Sequence, residues 1–261
     1  MLYRELAPVS SNAWDEIDER AAEVLKTTLS ARKVVRVNGP KGLDFNVISE
    51  GRLGEIKEEG NACYANYKVI PLTETRVEFE IDRWELDNIE RGAKDVEWAP
   101  LEDALKELAM IEENAVYNGL EKASIKGLAQ FGDKAIKFGD SQEKIMGAVL
   151  EGVVKLRENY AVGSYTLVLS EEAYKRVLTQ EGGGYPLNKR LEALIEGEMI
   201  FSSAVKGAYL IPYDHEDLEL TIGRDFSIGY QNHTAEKVKF FATESFTFRV
   251  LDPGIVVKFD L

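Results

Sequence analysis

The chain has 261 residues, enough to bury a large core as one big domain or two intertwined ones, and its 44% apolar and 30% charged residues are a globular mix that excludes disorder. Acids outnumber bases 46 to 32 for a net charge of −14, which opposes a phosphate backbone and excludes nucleic acid as the expected partner. Cys63 is the only cysteine, so no intrachain disulfide can form.

The first residues, MLYRELAPVSSNAW, lack the basic-then-apolar layout of a signal peptide. No apolar run approaches the ~18 residues of a membrane span, so a cytoplasmic, membrane-free protein is expected. Ser10-Ser11-Asn12 offers an N-cap to a helix whose apolar residues Trp14, Ile17, Ala21, Val24, Leu25 and Leu29 recur at helical spacing. A strand over Lys33–Val37 follows and stops at Asn38-Gly39-Pro40. Residues 50–66, with glycines at 42, 51, 54 and 60 in or near them, show no period and read as a long polar excursion.

Val77, Phe79 and Ile81 then alternate with Arg76, Glu78, Glu80 and Asp82, the pattern of a half-buried strand, at whose end stands Trp84. Pro100 opens a long helix with one stripe of Leu101, Leu105, Leu108, Ile111, Ala115, Val116 and Leu120. Ser141 caps another, which carries Ile145, Val149, Val153 and Leu156 inward. Tyr165–Leu169 reads as a buried strand and Glu171–Gln180 as a helix; Gly182-Gly183-Gly184-Tyr185-Pro186 breaks it before a helix over Leu187–Gly197. Strands are expected at Met199–Ser203, Tyr209–Pro212, Leu218–Ile222, Phe226–Tyr230, Lys237–Val250 and Ile255–Phe259. No internal repeat or low-complexity tract is present, and the class is α+β, with helices first and a sheet-rich last third.

Chemistry is not announced by any motif. The G-x-S-x-G elbow, P-loop, H-E-x-x-H and dinucleotide fingerprint are all missing. His215 and His233 are the only histidines, and the residues three before them, Pro212 and Tyr230, do not make the Glu-x-x-His of a di-iron helix. Glu112 and Glu113 are adjacent on the long helix and read as a solvated face. No catalytic residue and no metal site is expected in the chain itself.

Four segments, taken together and in order, carry a resemblance: WDEIDERAAEVLKTTLSARKVV, LTETRVEFEIDRWELDNIERG, GGGYPLNKR and IGRDFSIGYQNHTAEKVKFFATESFTFRV. With them the chain resembles the encapsulins, shell proteins of the linocin-type bacteriocin family built on the tailed-phage capsid fold. The resemblance implies a closed icosahedral homo-oligomer of at least about sixty copies, the multiplicity of that point group. It also implies a cargo enzyme, of ferritin-like (iron-storing) or peroxidase type, held through a C-terminal targeting peptide. The implied layout is a peripheral domain over approximately 1–45, 71–139 and 213–261, an extended loop over 46–70 that lies on a neighbour, and an axial domain over 140–212. The alternatives are a prophage capsid protein, disfavoured by the acidic charge, and an oligomeric flavin-binding protein.

Three sites follow from the resemblance. A flavin such as FMN would stack on Trp84, with Arg76 eight residues earlier pairing its phosphate or a ring carbonyl; otherwise Trp84 is a core or subunit-contact residue. The cargo peptide would dock by Arg32, Phe226, Ile228 and Tyr230. Gly182, Gly183, Gly184 and Tyr185 would lie beside the fivefold pore, a neutral lining that filters by size. Arg36 departs from a relative's pattern, which has an acid after the strand KVV, and so reverses a charge near the cargo site.

Overall fold

Ser10 starts the first helix. In the computed structural model of the chain, which describes residues 1–180 and 184–261, the Ser10 hydroxyl accepts from the Ala13 N–H, and α1 runs Ser11–Thr28. Its buried face is Ala13, Trp14, Ile17, Ala21 and Val24, of which Ile17 and Val24 are of the kind that contribute about 1.5–3 kcal/mol each when fully buried. The strand expected at Lys33–Val37 is later and shorter. A 3-10 turn fills Ala31–Lys33, and β1 spans Arg36–Asn38. Glu113 explains the difference: its carboxylate accepts from the N–H groups of Ser30 at 2.9 Å and Ala31 at 2.7 Å and so holds the turn.

The segment expected to lack regular structure folds as strands β2 (Val47–Leu53), β3 (Lys57–Glu59), β4 (Ala62–Tyr64) and β5 (Tyr67–Pro71). β2 pairs with β5 and β3 with β4, both antiparallel, so the excursion is two ribbons. Gly60-Asn61 makes the two-residue turn, with Gly60 at φ +60, the left-handed conformation such a turn requires. No residue of the four strands is buried.

β6 (Thr73–Asp82) leads directly into α2 (Arg83–Glu90), because the Asp82 carboxylate caps the helix by accepting the Trp84 N–H at 2.7 Å. Trp84 therefore sits in the first turn of a helix, not at a strand end. α3 (Ala99–Tyr117) has Pro100 in its first turn and buries Leu101, Leu105, Leu108, Ala115 and Val116; Leu120 lies beyond it, bridged to Ile125. Glu112 and Glu113, expected in solvent, are both buried, at 0% and 1% exposure. Adjacent residues point about 100° apart on a helix, and α3 is a spine covered on both of those sides.

The remaining elements are β7 (Ile136–Lys137), α4 (Gln142–Glu158), β8 (Tyr165–Leu169), α5 (Glu171–Leu178), α6 (Leu187–Ile195), β9 (Met199–Phe201), β10 (Ala208–Pro212), β11 (Leu218–Ile222), β12 (Ser227–His233), β13 (Lys237–Val250) and β14 (Val257–Asp260). In the first five-stranded sheet β13 is central. Thr243 pairs with Ser227 on one side and Arg76 on the other, and Phe246 pairs likewise with Ile222 and Thr73. β11 and β12 thus lie end to end along one edge of β13, with β6 along the other; β1 adds in parallel outside β11.

The second sheet runs β7-β14-β10-β8-β9. The C-terminal segment expected to lie in one domain is therefore divided, since β11 to β13 build the first sheet and β14 pairs with β10 in the second. One apolar core lies between α1, α3 and the first sheet, with Trp14, Leu105, Ile228 and Phe240 in it. The other surrounds the second sheet with α4, α5 and α6 and reaches β11.

Candidate functional site: a groove between the first helix and an edge strand

α1 and β12 are the two walls of an open cavity of about 420 Å³. Ala21, Ala22 and Leu25 of α1, Leu105 of α3, and Phe226 and Ile228 at β12 give it an apolar lining; Asp18, Ser227, Leu2 and Arg4 complete the rim. The small Ala21-Ala22 pair keeps the α1 wall low, so the space between helix and strand stays open. Such a groove offers aliphatic contact along an exposed backbone edge, the requirement for seating an extended peptide.

Of the residues expected at a docking site, the structure brings Phe226 and Ile228 into the groove. Ile228 is 3% exposed, so most of it belongs to the core. Tyr230 lies past the groove, where its hydroxyl meets His233 Nδ1 at 2.5 Å. Arg32 does not line the groove: its guanidinium is 4.7 Å from the Phe226 ring centre and is held in an ion cluster. Asp18, Ala22, Leu105, Leu2 and Arg4 were missed by sequence reasoning. The polar face of α1 and the irregular first residues carry no periodic signal that would single them out.

The cluster around Arg32 is dense. Nε and Nη2 fork onto Glu112 at 2.9 and 2.7 Å, Nη1 reaches Asp225 at 2.7 Å, and Glu244 of β13 lies 3.4 Å away. Burial would lower the Arg32 pKa, but hydrogen bonding and charge from Glu112, then Asp225, outweigh it and hold the guanidinium above its ordinary value. Glu244 is pushed the other way. Burial first, then the charge of Glu112, raises its carboxyl well above the usual range, against the pull of Arg32. One of its oxygens has no hydrogen-bond partner among the described residues. Three acids share one base here, and Glu244 is the one whose proton burial favours most. Glu113, on the next position of α3, is also raised by burial, although hydrogen bonds from Ser30 and Ala31 oppose that.

The other expected sites are placed apart. Trp84 is 68% exposed, with the Arg91 guanidinium 5.3 Å from its ring centre. Arg76 lies 4.1 Å from the Phe241 ring centre and 3.6 Å from Glu74. Six strand steps separate Arg76 from Asp82, about 20 Å at the rise of a β-strand, so one subunit does not close them on a single small ring. Gly182 and Gly183 lie outside the described residues; Gly184 has φ +76 and Tyr185 is exposed. Arg36 pairs with Asp214 and does not reach the groove. His215 Nδ1 accepts the Asp217 N–H, and among the described residues no group of three His, Cys, Asp or Glu is placed to hold a metal. No described helix is long and apolar enough to cross a membrane.

A spine helix laid across one sheet, a projecting ribbon, and a second helix-flanked sheet together define the tailed-phage capsid fold. Solved structures carry the same architecture. A virus-like particle from Pyrococcus furiosus superposes with a TM-score of 0.71 at 18% identity, over 94% of this chain and 98% of that one. The capsid of the Myoviridae phage XM1 does so with a TM-score of 0.61 at 13% identity, over 89% and 91%. In sequence, the family described as "Encapsulating protein for peroxidase" matches residues 1–247. The type 1 encapsulin shell protein of Rhodospirillum rubrum is 38% identical over 98% of this chain and 95% of its own length. That of Mycobacterium tuberculosis is 34% identical over 95% and 94%. The chain belongs to the encapsulin shell-protein family, and its role is that of a self-assembling shell subunit.

Proposed function

We propose that the chain closes an icosahedral shell of at least about sixty copies around a cargo enzyme, peroxidase or ferritin-like, in the cytoplasm. The cargo is held by a C-terminal tail seated between α1 and β12. The observation that carries this is the groove itself, apolar along its floor and bounded by the edge strand β12. At ~25 cal/mol per Å² a few buried aliphatic side chains make a weak contact. Many grooves facing one lumen retain an oligomeric cargo through effective concentration. The shell does no chemistry of its own in this reading. The first sheet is the peripheral domain; the second, with β14, is the axial one, and Gly184 and Tyr185 stand beside the fivefold pore.

Ala22 is exposed on the groove wall and outside the core, so Ala22→Trp fills the groove without touching the fold. Closed particles are expected by electron microscopy for both proteins, and co-purification of a tail-bearing cargo only for the unsubstituted one. Loading that survives Ala22→Trp would move the docking site elsewhere. A flavin at Trp84 is a second reading, favoured by the exposure of that ring; any Arg76 contact would come through the assembly.

A further inference from the structure

The groove has a resident. Along the free edge of β12, the Tyr230 N–H donates to the Leu2 carbonyl at 2.8 Å, and Arg4 Nε donates to the Ile228 carbonyl at 2.8 Å. β12 pairs with β13 on its other side only, so residues 228 and 230 present outward the backbone groups that an added strand would engage. The chain's own first residues already engage two of them.

Arg4 then spans the groove. Its Nη1 and Nη2 reach both carboxylate oxygens of Asp18 on α1, at 2.7 and 2.5 Å, and its guanidinium lies 4.3 Å from the Trp14 ring centre. One side chain therefore ties the strand wall to the helix wall. The rest of the segment buries little. Residues Arg4–Leu6 form a single 3-10 turn with nothing buried, and Met1 and Leu6 are 80% and 65% exposed. The segment re-enters the core only at Ala7 and Val9.

We propose that Leu2–Leu6 is a removable strap on the docking edge, latched by Arg4 on Asp18, and that a cargo tail displaces it from β12 to lie in the groove. This rests on the reading of the groove as the docking site. The strap lowers apparent tail affinity by the fraction of grooves it occupies. Because Arg4 and Asp18 are partly exposed, at 31% and 49%, added salt weakens the latch.

The test uses assembled shells in which Leu2–Leu6 is replaced by a Gly/Ser stretch, with a fluorescent peptide of sequence MLYRELAP as probe and a scrambled peptide as control. The probe is expected to bind the replaced shells saturably and at least about tenfold tighter than unsubstituted shells, whose grooves are taken. Arg4→Ala alone is expected to gain about threefold to fivefold, the value of an exposed ion pair. Equal binding to all three shells, or no binding to the replaced shells, overturns the strap. Amide exchange gives a second measure that needs no probe. The Tyr230 N–H is expected to exchange several-fold faster in Arg4→Ala and in the replaced shells, and unchanged exchange in both overturns the proposal. A tail-bearing cargo that loads without displacing bound probe would sink the exchange of strap for cargo together with the docking reading, while the strap's seat on β12 stood.

Discussion

Two regions of this subunit stand at opposite extremes of completion. Around Arg32, side chains from the turn after α1, from α3, from the β11–β12 connection and from β13 meet inside a single protomer, with one Glu244 oxygen alone left without a partner among the described residues. In the ribbons between residues 47 and 71, Leu53, Ile56, Tyr64, Tyr67 and Val69 are each at least half exposed, and the strands pair chiefly with one another. Exposed apolar side chains on this ribbon suit the contact with a neighbour that the resemblance implies for residues 46–70. The contrast separates what the chain needs to fold from what it needs to assemble.

The largest expected effect falls on the complete region. Arg32→Ala leaves Glu112 fully buried without its bidentate partner, and removing one member of a buried pair costs about 3–5 kcal/mol. The midpoint of denaturant unfolding is expected to fall sharply, and an Arg32→Lys variant recovers only part of it because one ammonium cannot fork onto two oxygens. A stability change below about 1 kcal/mol would mean the cluster is wetter than its burial implies.

In the ribbons the effect should be comparable in consequence but different in kind. Replacing Tyr67 and Val69 by Ser removes exposed apolar surface, so the unfolding midpoint of the isolated subunit should stay within about 0.5 kcal/mol. Loss of interface anchors costs about 1–2 kcal/mol per copy, repeated at every contact of the shell. Size-exclusion chromatography is expected to show small species in place of particles. Closed particles of normal size from this variant would break the assignment of the ribbon to a subunit contact.

The same contrast explains what the sequence shows and what it conceals. The α1 stripe, the strand containing Val77, Phe79 and Ile81, and the Ser10 and Ser141 caps are legible because each follows from spacing within one element. The ribbons were misread because their strands have no buried face in the subunit, and alternation appears only where one face is buried. Their turn was still written plainly, as Glu59-Gly60-Asn61-Ala62. Glu112 and Glu113 misled for the converse reason. Their partners come from residues 30–32 and 202, and no local pattern announces a buried charge whose counter-ion is far along the chain. Of the groove, Phe226 and Ile228 were reached through resemblance, whereas Arg4 and Asp18 become a pair only once the first residues fold back over α1.

A pH series sharpens the account of the complete region. Glu244 and Glu113 both have carboxyl pKa values raised in the fold, burial being the first cause in each. A carboxyl raised above its unfolded value binds its proton more tightly in the native state. Its contribution is fully present below the ordinary carboxylate range and is lost as pH rises through the folded pKa. Subunit stability is therefore expected to decline from mildly acid toward alkaline pH, by about 1.4 kcal/mol for each pH unit between the two values of a group. Glu244→Gln keeps a neutral side chain of the same shape and should flatten the decline, leaving the part due to Glu113. A slope unchanged by Glu244→Gln would mean that Glu244 is ionised in the fold.

The smallest effect is expected at Trp84, and it tests whether this ring belongs with the incomplete region. Its exposure and its place in the first turn of α2 mean that Trp84→Ala should alter subunit stability by no more than about 0.5 kcal/mol. If a flavin docks there, stacking on the indole contributes roughly 0.5–1.5 kcal/mol, so the same substitution should weaken FMN binding to assembled shells about threefold to tenfold. Arg76 divides from Trp84 at this point. Its guanidinium already lies on Phe241, whose ring crosses Gly229 so closely that a Cβ there would come within 2.3 Å of it. Arg76→Ala should therefore disturb the outer face of the first sheet more than it disturbs the ligand. Absorbance of FMN-soaked, washed shells reads the ligand, and thermal unfolding reads the sheet. Colourless unsubstituted shells would end the flavin reading and leave Trp84 as a surface for a neighbouring subunit.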